Sequence, residues 1–589
     1  MSTNQTASYF VEDFSEAELS ILSRYFTNND KPVFCLINLP EVVKGALYAR
    51  YSRTTKSTRR LFLDEFVNRK EIAVNAMSRS MSAIEAGERW SQNPSDSFAY
   101  IAEELKLEGL DPIFSLEHAE SLYRRVFDEY GDDSVSQLGG VHIVFEQASN
   151  IVINEIEWGR LGAYLEQSTR YLDYSARLDD NRYRYYRPDD VMSSEYAQTY
   201  EKGMDKLFDY YIKMLDSAIK YFEATNPRNS FEGDDRAYRT TIRAKAFDTV
   251  RPMLPAGIIS NVGFFGSAQA AANMLRRLLS SELSEARVLG QMALDALRHP
   301  DAAPAFFNQI DDAKKGIPWL AYFNKTRTNT QYLVSSLQSQ YGIEEASIAS
   351  PAQNEVSLTW ADSDNEQKVC AGILYEHGSS NMAMSDCMVL AERIGNYNQG
   401  LLIRNYCGDR SSFNAQQGNR RWKPGRAFEL ASYNFDMVID FGIMRDWKRH
   451  RLLTALWGEL DTSLGWTISP FILDMELSEL YQEAMDLSSE LYASLQRDYP
   501  KSAQYVVCLA YRMKFNININ ARALMFMLEL RTSQQGHPSY RTVAQQMHSL
   551  IHSRDPAIAK SMGYVDYSQY SLERAGAEKR LSAKQSQAD

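Results

Sequence analysis

The sequence predicts an α+β chain of two tandem domains of one kind, each a twisted sheet with long helices. Three observations carry this. The chain has 589 residues, more than one ordinary domain holds at roughly 100–250 residues each. Segments of helical period dominate, with shorter β-rich runs between them. And both halves show the same order of parts: a strand-like run leading into an Arg-containing helix start, a long amphipathic helix, then an apolar stretch running into an Arg-bearing helix.

The β-rich runs are residues 33–39, 141–145, 355–360 and 431–440. Over residues 200–223, Met204, Leu207, Phe208, Tyr211, Met214, Leu215 and Ile219 fall on one stripe of a 3.6-residue period. Residues 474–497 repeat this with Met475, Leu477, Leu480, Met485, Leu487 and Leu491. Arg277 and Arg287 in the first half, and Arg531 and Arg541 in the second, are each ten residues apart. Residues 308–353 show little regular pattern beyond 319–323, and 347–354 are rich in Ser, Ala, Pro and Gln, so a junction is expected there. The last residues carry no apolar face and read as a frayed tail. The expected boundaries are a first domain over 1–310, a linker over 311–354, a second domain over 355–573 and a disordered tail over 574–589.

The formal net charge of −12 and a pI near 5.4 argue against a general nucleic-acid binder, while leaving room for a small basic pocket. The five cysteines are scattered with no CxxC pair, so neither a disulfide framework nor a structural zinc site is expected, and a reducing cytoplasm fits best. The polar, acidic N-terminus does not read as a signal peptide, and no run of about 18 apolar residues predicts a membrane span. Tyrosine is abundant (35) and histidine scarce (8), which speaks against chemistry built on many histidines.

Two segments carry chemistry. In the second half, Arg445-Asp446-Trp447-Lys448-Arg449-His450-Arg451 follows a β-like run over 435–443 and precedes what reads as an apolar helix start. Such a cluster suits an anionic ligand, because guanidinium groups pair bidentately with phosphate; a solvated basic face is the bland alternative. In the first half, Glu166, Ser168 and Arg170 stand two residues apart. They cannot share one face of a helix but can converge from an extended or looped backbone; an ordinary polar loop is the alternative.

Together these segments resemble the flavin-dependent thymidylate synthases, whose signature is RHR, seven further residues, then S-x-R, with a Glu two residues before the Ser. Here the signature is broken in two complementary ways. The second half keeps Arg449-His450-Arg451 but has Trp457, Glu459 and Asp461 at the Glu, Ser and Arg positions. The first half has Trp158-Gly159-Arg160 in place of RHR but keeps Glu166, Ser168 and Arg170. Phe428-Glu429, Asn520-Ala521-Arg522 with Arg531, Arg251-Pro-Met-Leu-Pro255 and Ala49-Arg50-Tyr51-Ser52 resemble further family segments. Departures are Gly266 and Ala268 where Asn-x-Arg belongs, Gln504 for a phosphate-binding Arg, and Asp446 for a nucleotide-contacting Gln. The resemblance covers residues 30–290 and 355–555.

The resemblance implies a composite site between the halves. Glu429, Arg449, His450, Arg451, Asn520 and Arg522 would hold FAD, and Glu166, Ser168, Arg170, Arg251 and Arg531 would hold the nucleotide. Ser168, Arg170 and His450 would act nearest the chemistry. The implied reaction is reductive methylation of dUMP to dTMP with methylenetetrahydrofolate and NADPH, with two chains pairing into a pseudo-tetramer. The alternative is a catalytically degenerate nucleotide- or flavin-binding paralogue with a structural or regulatory role. No metal is expected: His548 and His552 are spaced i, i+4 but lack a third ligand. His537 in Gly-His-Pro reads equally as a turn residue. Gly263 and Gly266 do not form a dinucleotide fingerprint, and the basic run 50–60 reads by default as a solvated helix face.

Overall fold

A computed structural model of the chain describes residues 12–31, 34–51, 56–108, 137, 139–168, 172–178, 180–297, 317–342, 353–408, 420 and 423–585. Arg170 and Ser52 lie outside the described residues, as do the side chains of Ala49, Arg50 and Tyr51.

Two antiparallel sheets organise the chain. The first is ordered β1-β3-β2, from β1 (Gly140–Ser149), β2 (Ala163–Glu166) and β3 (Ile259–Ser267). The second is ordered β4-β5-β7-β6, from β4 (Glu355–Ala361), β5 (Ser432–Asp440), β6 (Leu453–Trp457) and β7 (Arg512–Asn520). Leaving aside the edge strand β4, the two sheets share one topology. Four strand-to-helix switches repeat in it, each made by the last residue of a strand. Ser149, Ser267, Asp440 and Asn520 accept the N–H three residues on and so cap the helices Asn150–Ile156, Ala268–Leu279, Phe441–Trp447 and Ala521–Arg531. The long amphipathic helices are Ala197–Thr225 and Ser478–Leu495, and they pack on each other.

This repetition sets equivalent positions. Ser149 matches Asp440 at the caps, which brings Asn154 onto Arg445, Glu157 onto Lys448 and Glu166 onto Trp457. Glu166 pairs with Val262 across its sheet, and Trp457 with Phe515 across the other. Carried back along those central strands, the match sets Arg251 on Gln504 and Pro255 on Cys508.

The halves are joined by backbone around a bridge between Pro255 and Cys508. The N–H of Ala256 donates to the Val507 carbonyl (2.8 Å), Gly257 to Tyr505 (2.8 Å), Leu509 to Leu254 (2.9 Å) and Ala510 to Pro252 (2.8 Å). Equivalent residues exchange bonds in pairs, so a pseudo-two-fold axis passes between Pro255 and Cys508. Glu157 and Lys448, themselves equivalent, meet across it at 3.4 Å. Side chains add to the seam: the Tyr505 hydroxyl donates to Glu285 (2.8 Å), which also takes the Ser149 N–H (2.7 Å) and hydroxyl (2.6 Å).

Several expectations change. Of the run 33–39, the described part contributes one bridge, Leu36 to Phe26. The β-like run 435–443 ends at Asp440, and Phe441–Trp447 is helical; the basic cluster then leads into strand β6 rather than a helix start. Within the expected linker, Ile317–Tyr341 is a helix. Its described side chains, 329–342, are all exposed, so that part leaves no stripe in the sequence. The described part of the tail, 574–585, is not frayed. Arg574 is buried with its guanidinium 3.4 Å from Asp248, Glu573 pairs with buried Lys245 at 2.5 Å, and the helix Ala575–Gln585 packs on the helix Asp235–Val250. No described helix is long and apolar enough to cross a membrane.

A Cβ at Gly257 would stand 2.8 Å from the Tyr505 carbonyl oxygen, which is backbone on the axis and cannot step aside. Gly257→Ala is therefore expected to cost about 1–3 kcal/mol, seen as a lower urea midpoint with unchanged slope. Burial raises the Glu285 carboxyl to about 7, against the bonds from Ser149 and Tyr505 that favour its charge. A carboxyl raised in the folded state holds its proton while the unfolded chain releases it, so stability falls as pH rises from about 4.5 to about 7. Urea titrations across that window are expected to show this slope in the parent chain and a flatter one in Glu285→Gln.

Candidate functional site

The two signature fragments meet at the end of β2. Glu166, the last residue of that strand, is buried and forms ion pairs with Arg445 and Arg449, from positions 279 and 283 residues away. Arg445 lies in the helix Phe441–Trp447, and Arg449 in the turn between that helix and β6. Burial works against the Glu166 charge, but Arg445, Arg449 and Lys448 outweigh it and hold the carboxyl below its usual range. Beneath this group, Glu157 lies 3.4 Å from the Lys448 ammonium and 3.6 Å from the Arg449 guanidinium. Burial lowers Lys448 to about 8, opposed by Glu157 and Glu166. Its Nζ makes an ion pair but no hydrogen bond among the described residues.

Next to this core, Arg531, the last residue of its helix, donates from Nε to His450 Nε2 at 3.0 Å and also donates to the Asp446 carbonyl. That bond assigns the remaining ring proton of His450 to Nδ1. Burial and the Arg531 charge push His450 well below its ordinary value, so the ring is neutral. Asp446 lies 3.8 Å from Arg531 and so answers an arginine rather than a phosphate. His450 packs edge-on to Phe526 (5.9 Å), which is 40% exposed and also lies under the Lys423 ammonium.

The remaining expected residues fall in two places. Arg522, one turn before Phe526, donates to the Pro424 carbonyl (2.8 Å) and to Glu429 (3.2 Å), which Arg426 also meets (3.0 Å). The Asn520 side chain accepts the Ala523 N–H (2.9 Å) as the helix cap. Arg451 has no hydrogen bond among the described residues and lies 5.7 Å over the Tyr164 ring. On the first-half side, Ser168 lies just beyond Glu166 and is half-buried. Arg251 is buried and acts on the Asp440 carboxylate. Its equivalent, Gln504, takes the Leu460 N–H (3.1 Å).

The structure thus brings Glu166 to Arg449, His450 to Arg531, and Glu429 to Arg522. Sequence reasoning left out Glu157 and gave Arg445 and Lys448 only a place in a basic cluster suited to an anionic ligand. The run Arg445–Arg451 flagged the last two by charge, but nothing local marks Glu157, whose partners lie in the other half. Among the described residues no group of three or more metal-ligating side chains converges; His548 instead binds the Tyr567 hydroxyl (2.9 Å) and the Ala559 carbonyl (3.1 Å). His537 contacts the Asp248 carbonyl (3.0 Å) and caps the helix Pro538–Arg554. The arrangement offers a buried, positively biased junction with a neutral imidazole at its edge.

Comparison with known proteins places this junction in a context. A family profile described as thymidylate synthase complementing protein matches residues 64–300 and 414–557. A UPF0159 protein of Chlamydia muridarum is 32% identical over 573 residues, covering 97% of this chain and 99% of its own length. A UPF0159 protein of Chlamydia pneumoniae is 31% identical over 570 residues, covering 97% and 98%. A solved structure described as the UMP/dUMP methylase PolB from Streptomyces cacaoi with 5-Br UMP aligns at 17% identity over 37% of this chain and 98% of its own, with a TM-score of 0.28.

Removing one member of a buried ion pair leaves the other charge uncompensated. Lys448→Met is expected to cost less than the roughly 3–5 kcal/mol of an isolated buried pair, because Arg449 stays 3.6 Å from Glu157, and adding Glu157→Gln is expected to recover part of it. The pH dependence gives a second readout. With Lys448 lowered from 10.5 to about 8, the unfolded chain holds a proton that the folded chain has released between those values. The parent chain therefore gains stability as pH rises through that window, and urea unfolding of the double variant is expected to lack that gain.

Proposed function

The chain belongs to the thymidylate synthase complementing protein family, and on that premise we propose that it is a nucleotide- and flavin-binding paralogue with incomplete methylation machinery and a structural or regulatory role. One observation carries this. Glu166, the carboxylate that would orient the pyrimidine ring, is buried with both oxygens held by Arg445 and Arg449. The two cations best placed for an anionic ligand are thereby both engaged from within the chain. At the equivalent place in the second half, Trp457, Glu459 and Gln504 stand where Glu166, Ser168 and Arg251 do in the first.

A nucleotide phosphate would find Arg251, Arg531 and Arg170, with Ser168 as a hydrogen-bonding partner. An FAD diphosphate and ring system would fit Arg451, Arg522 and the exposed Phe526 face, with Glu429, Arg449, His450 and Asn520 around them. Arg451 supports this, since its guanidinium lies over the Tyr164 ring and makes no hydrogen bond among the described residues. When bound, FAD supplies hydride chemistry; the chain's own residues bind and orient. The neutral His450 offers one N–H and no charge. Pairing of two chains into a pseudo-tetramer, and a cytoplasmic setting, belong to the same proposal.

A second reading is favoured by the same contact. Glu166 of one half touches Arg449 of the other, so two complementary fragments of one signature converge, as a composite site for FAD-dependent methylation of dUMP with methylenetetrahydrofolate and NADPH would need. The absorbance spectrum of the purified protein and a dTMP assay separate the two. The proposed role expects flavin bands and dUMP binding without dTMP. Formation of dTMP would replace it with the enzyme reading, and a colourless protein that takes up neither FAD nor dUMP would remove both. Arg522→Ala is expected to strip flavin and spare dUMP binding, and Arg170→Ala to do the reverse.

A further inference from the structure

The pseudo-two-fold axis that builds the Glu166 cluster also generates its counterpart, and there the chemistry is inverted. The counterpart is a cavity of about 320 Å³ between the halves, at the small end of ligand pockets. Asn154 stands where Arg445 stands in the cluster, and Trp457 where Glu166 does. Glu459 replaces Ser168, and Gln504 replaces Arg251. Two cations have gone and a carboxylate has been added in the place of a hydroxyl.

The wall groups are mostly hydrogen-bond acceptors. Asn154 is 6% exposed, and its Oδ1 has no hydrogen-bond partner among the described residues. Glu155 beside it takes the Ser281 hydroxyl at 2.8 Å. Arg277 approaches from behind the wall, where its Nε binds the Glu155 carbonyl (2.8 Å). At the rim, Lys501 lies 2.7 Å from Glu282 and also pairs with Glu459. Gln504 offers little to a ligand, because its Oε1 accepts from Leu460 and its Nε2 donates to the Lys501 carbonyl. Three carboxylates therefore line the cavity against one ammonium. Its floor is apolar, formed by the buried Phe441, Met444 and Met513, with the Trp457 ring at its side.

Buried acceptors call for a donor, since an unmatched one costs desolvation free energy. An aromatic wall and a carboxylate surplus together favour a cation with an apolar body. The acceptors are not gathered tightly enough for a metal ion among the described residues. We propose that this cavity binds a small organic cation, an ammonium group on a compact apolar or aromatic body, with Asn154 Oδ1 and the Glu155 carboxylate receiving the ammonium, Glu282 and Glu459 adding negative charge at the rim and Trp457 facing the body.

Calorimetry on the full chain with two probes of like shape and opposite charge tests this. Phenethylammonium is expected to bind and 3-phenylpropionate is not. Asn154→Leu and Glu459→Gln are each expected to weaken the ammonium probe about five- to tenfold, with thermal melts as in the parent. Because Asn154 is buried and its variant could misfold, the rim variant Glu459→Gln decides in that case. Equal binding of both probes, no binding of the ammonium, or affinity unchanged in the folded variants would each overturn the proposal. Binding of dUMP, measured in parallel, is expected to be untouched by Glu459→Gln, so failure here leaves the reading of the Glu166 junction standing.

Discussion

The backbone pairing of residues 252–257 with 505–510 is the constraint on which the rest depends. It is short, but it lies on the pseudo-two-fold axis, and it fixes the register of one half against the other. Each half leads from it directly into its central strand, β3 or β7. Everything that crosses the seam inherits its geometry: the packed long helices, the Glu285 hydrogen bonds, the Glu166 cluster and the cavity opposite. A pseudo-symmetric scaffold makes sites in pairs, and divergence of side chains then decides what each member of a pair can do.

Here divergence has acted on charge. One member of the pair holds Glu166 among Arg445, Lys448 and Arg449, with Glu157 below. Such a cluster is not a source of large net stability, because desolvation of each ion offsets most of the attraction. It ties the segment carrying Arg445 and Arg449 to the end of β2 through the Glu166 carboxylate. The other member has amide, indole and carboxylate groups at the matching positions, and they line a cavity.

Much of the fold was legible, for local reasons. The long helices Ala197–Thr225 and Ser478–Leu495 show a stripe because each buries one face and exposes the other. The strands at 141–145, 355–360 and 431–440 show in β-rich composition. The helix Phe441–Trp447 was hidden because Phe441, Ile443, Met444, Arg445 and Trp447 are all buried, so no polar face breaks the apolar run. The anchored segment at 573–585 was hidden for the opposite reason, since Glu573 and Arg574 are held by Lys245 and Asp248 more than 300 positions earlier. The site was legible as two fragments of a signature. That they meet, and that Glu166 and Glu157 pair with the basic cluster, depends on contacts nearly half a chain apart.

Glu157 and Lys448 hold equivalent positions in the two halves and face each other across the axis. If two first halves paired with each other, two carboxylates would meet in that buried place; two second halves would bring two ammonium groups together. Either costs several kcal/mol, whereas the mixed pair is compensated. The charge at this one position therefore favours the mixed pairing of halves over either like pairing. The tandem chain is thus better regarded as a heterodimer that happens to share one polypeptide, in which loss of either half would strand the charge of the other.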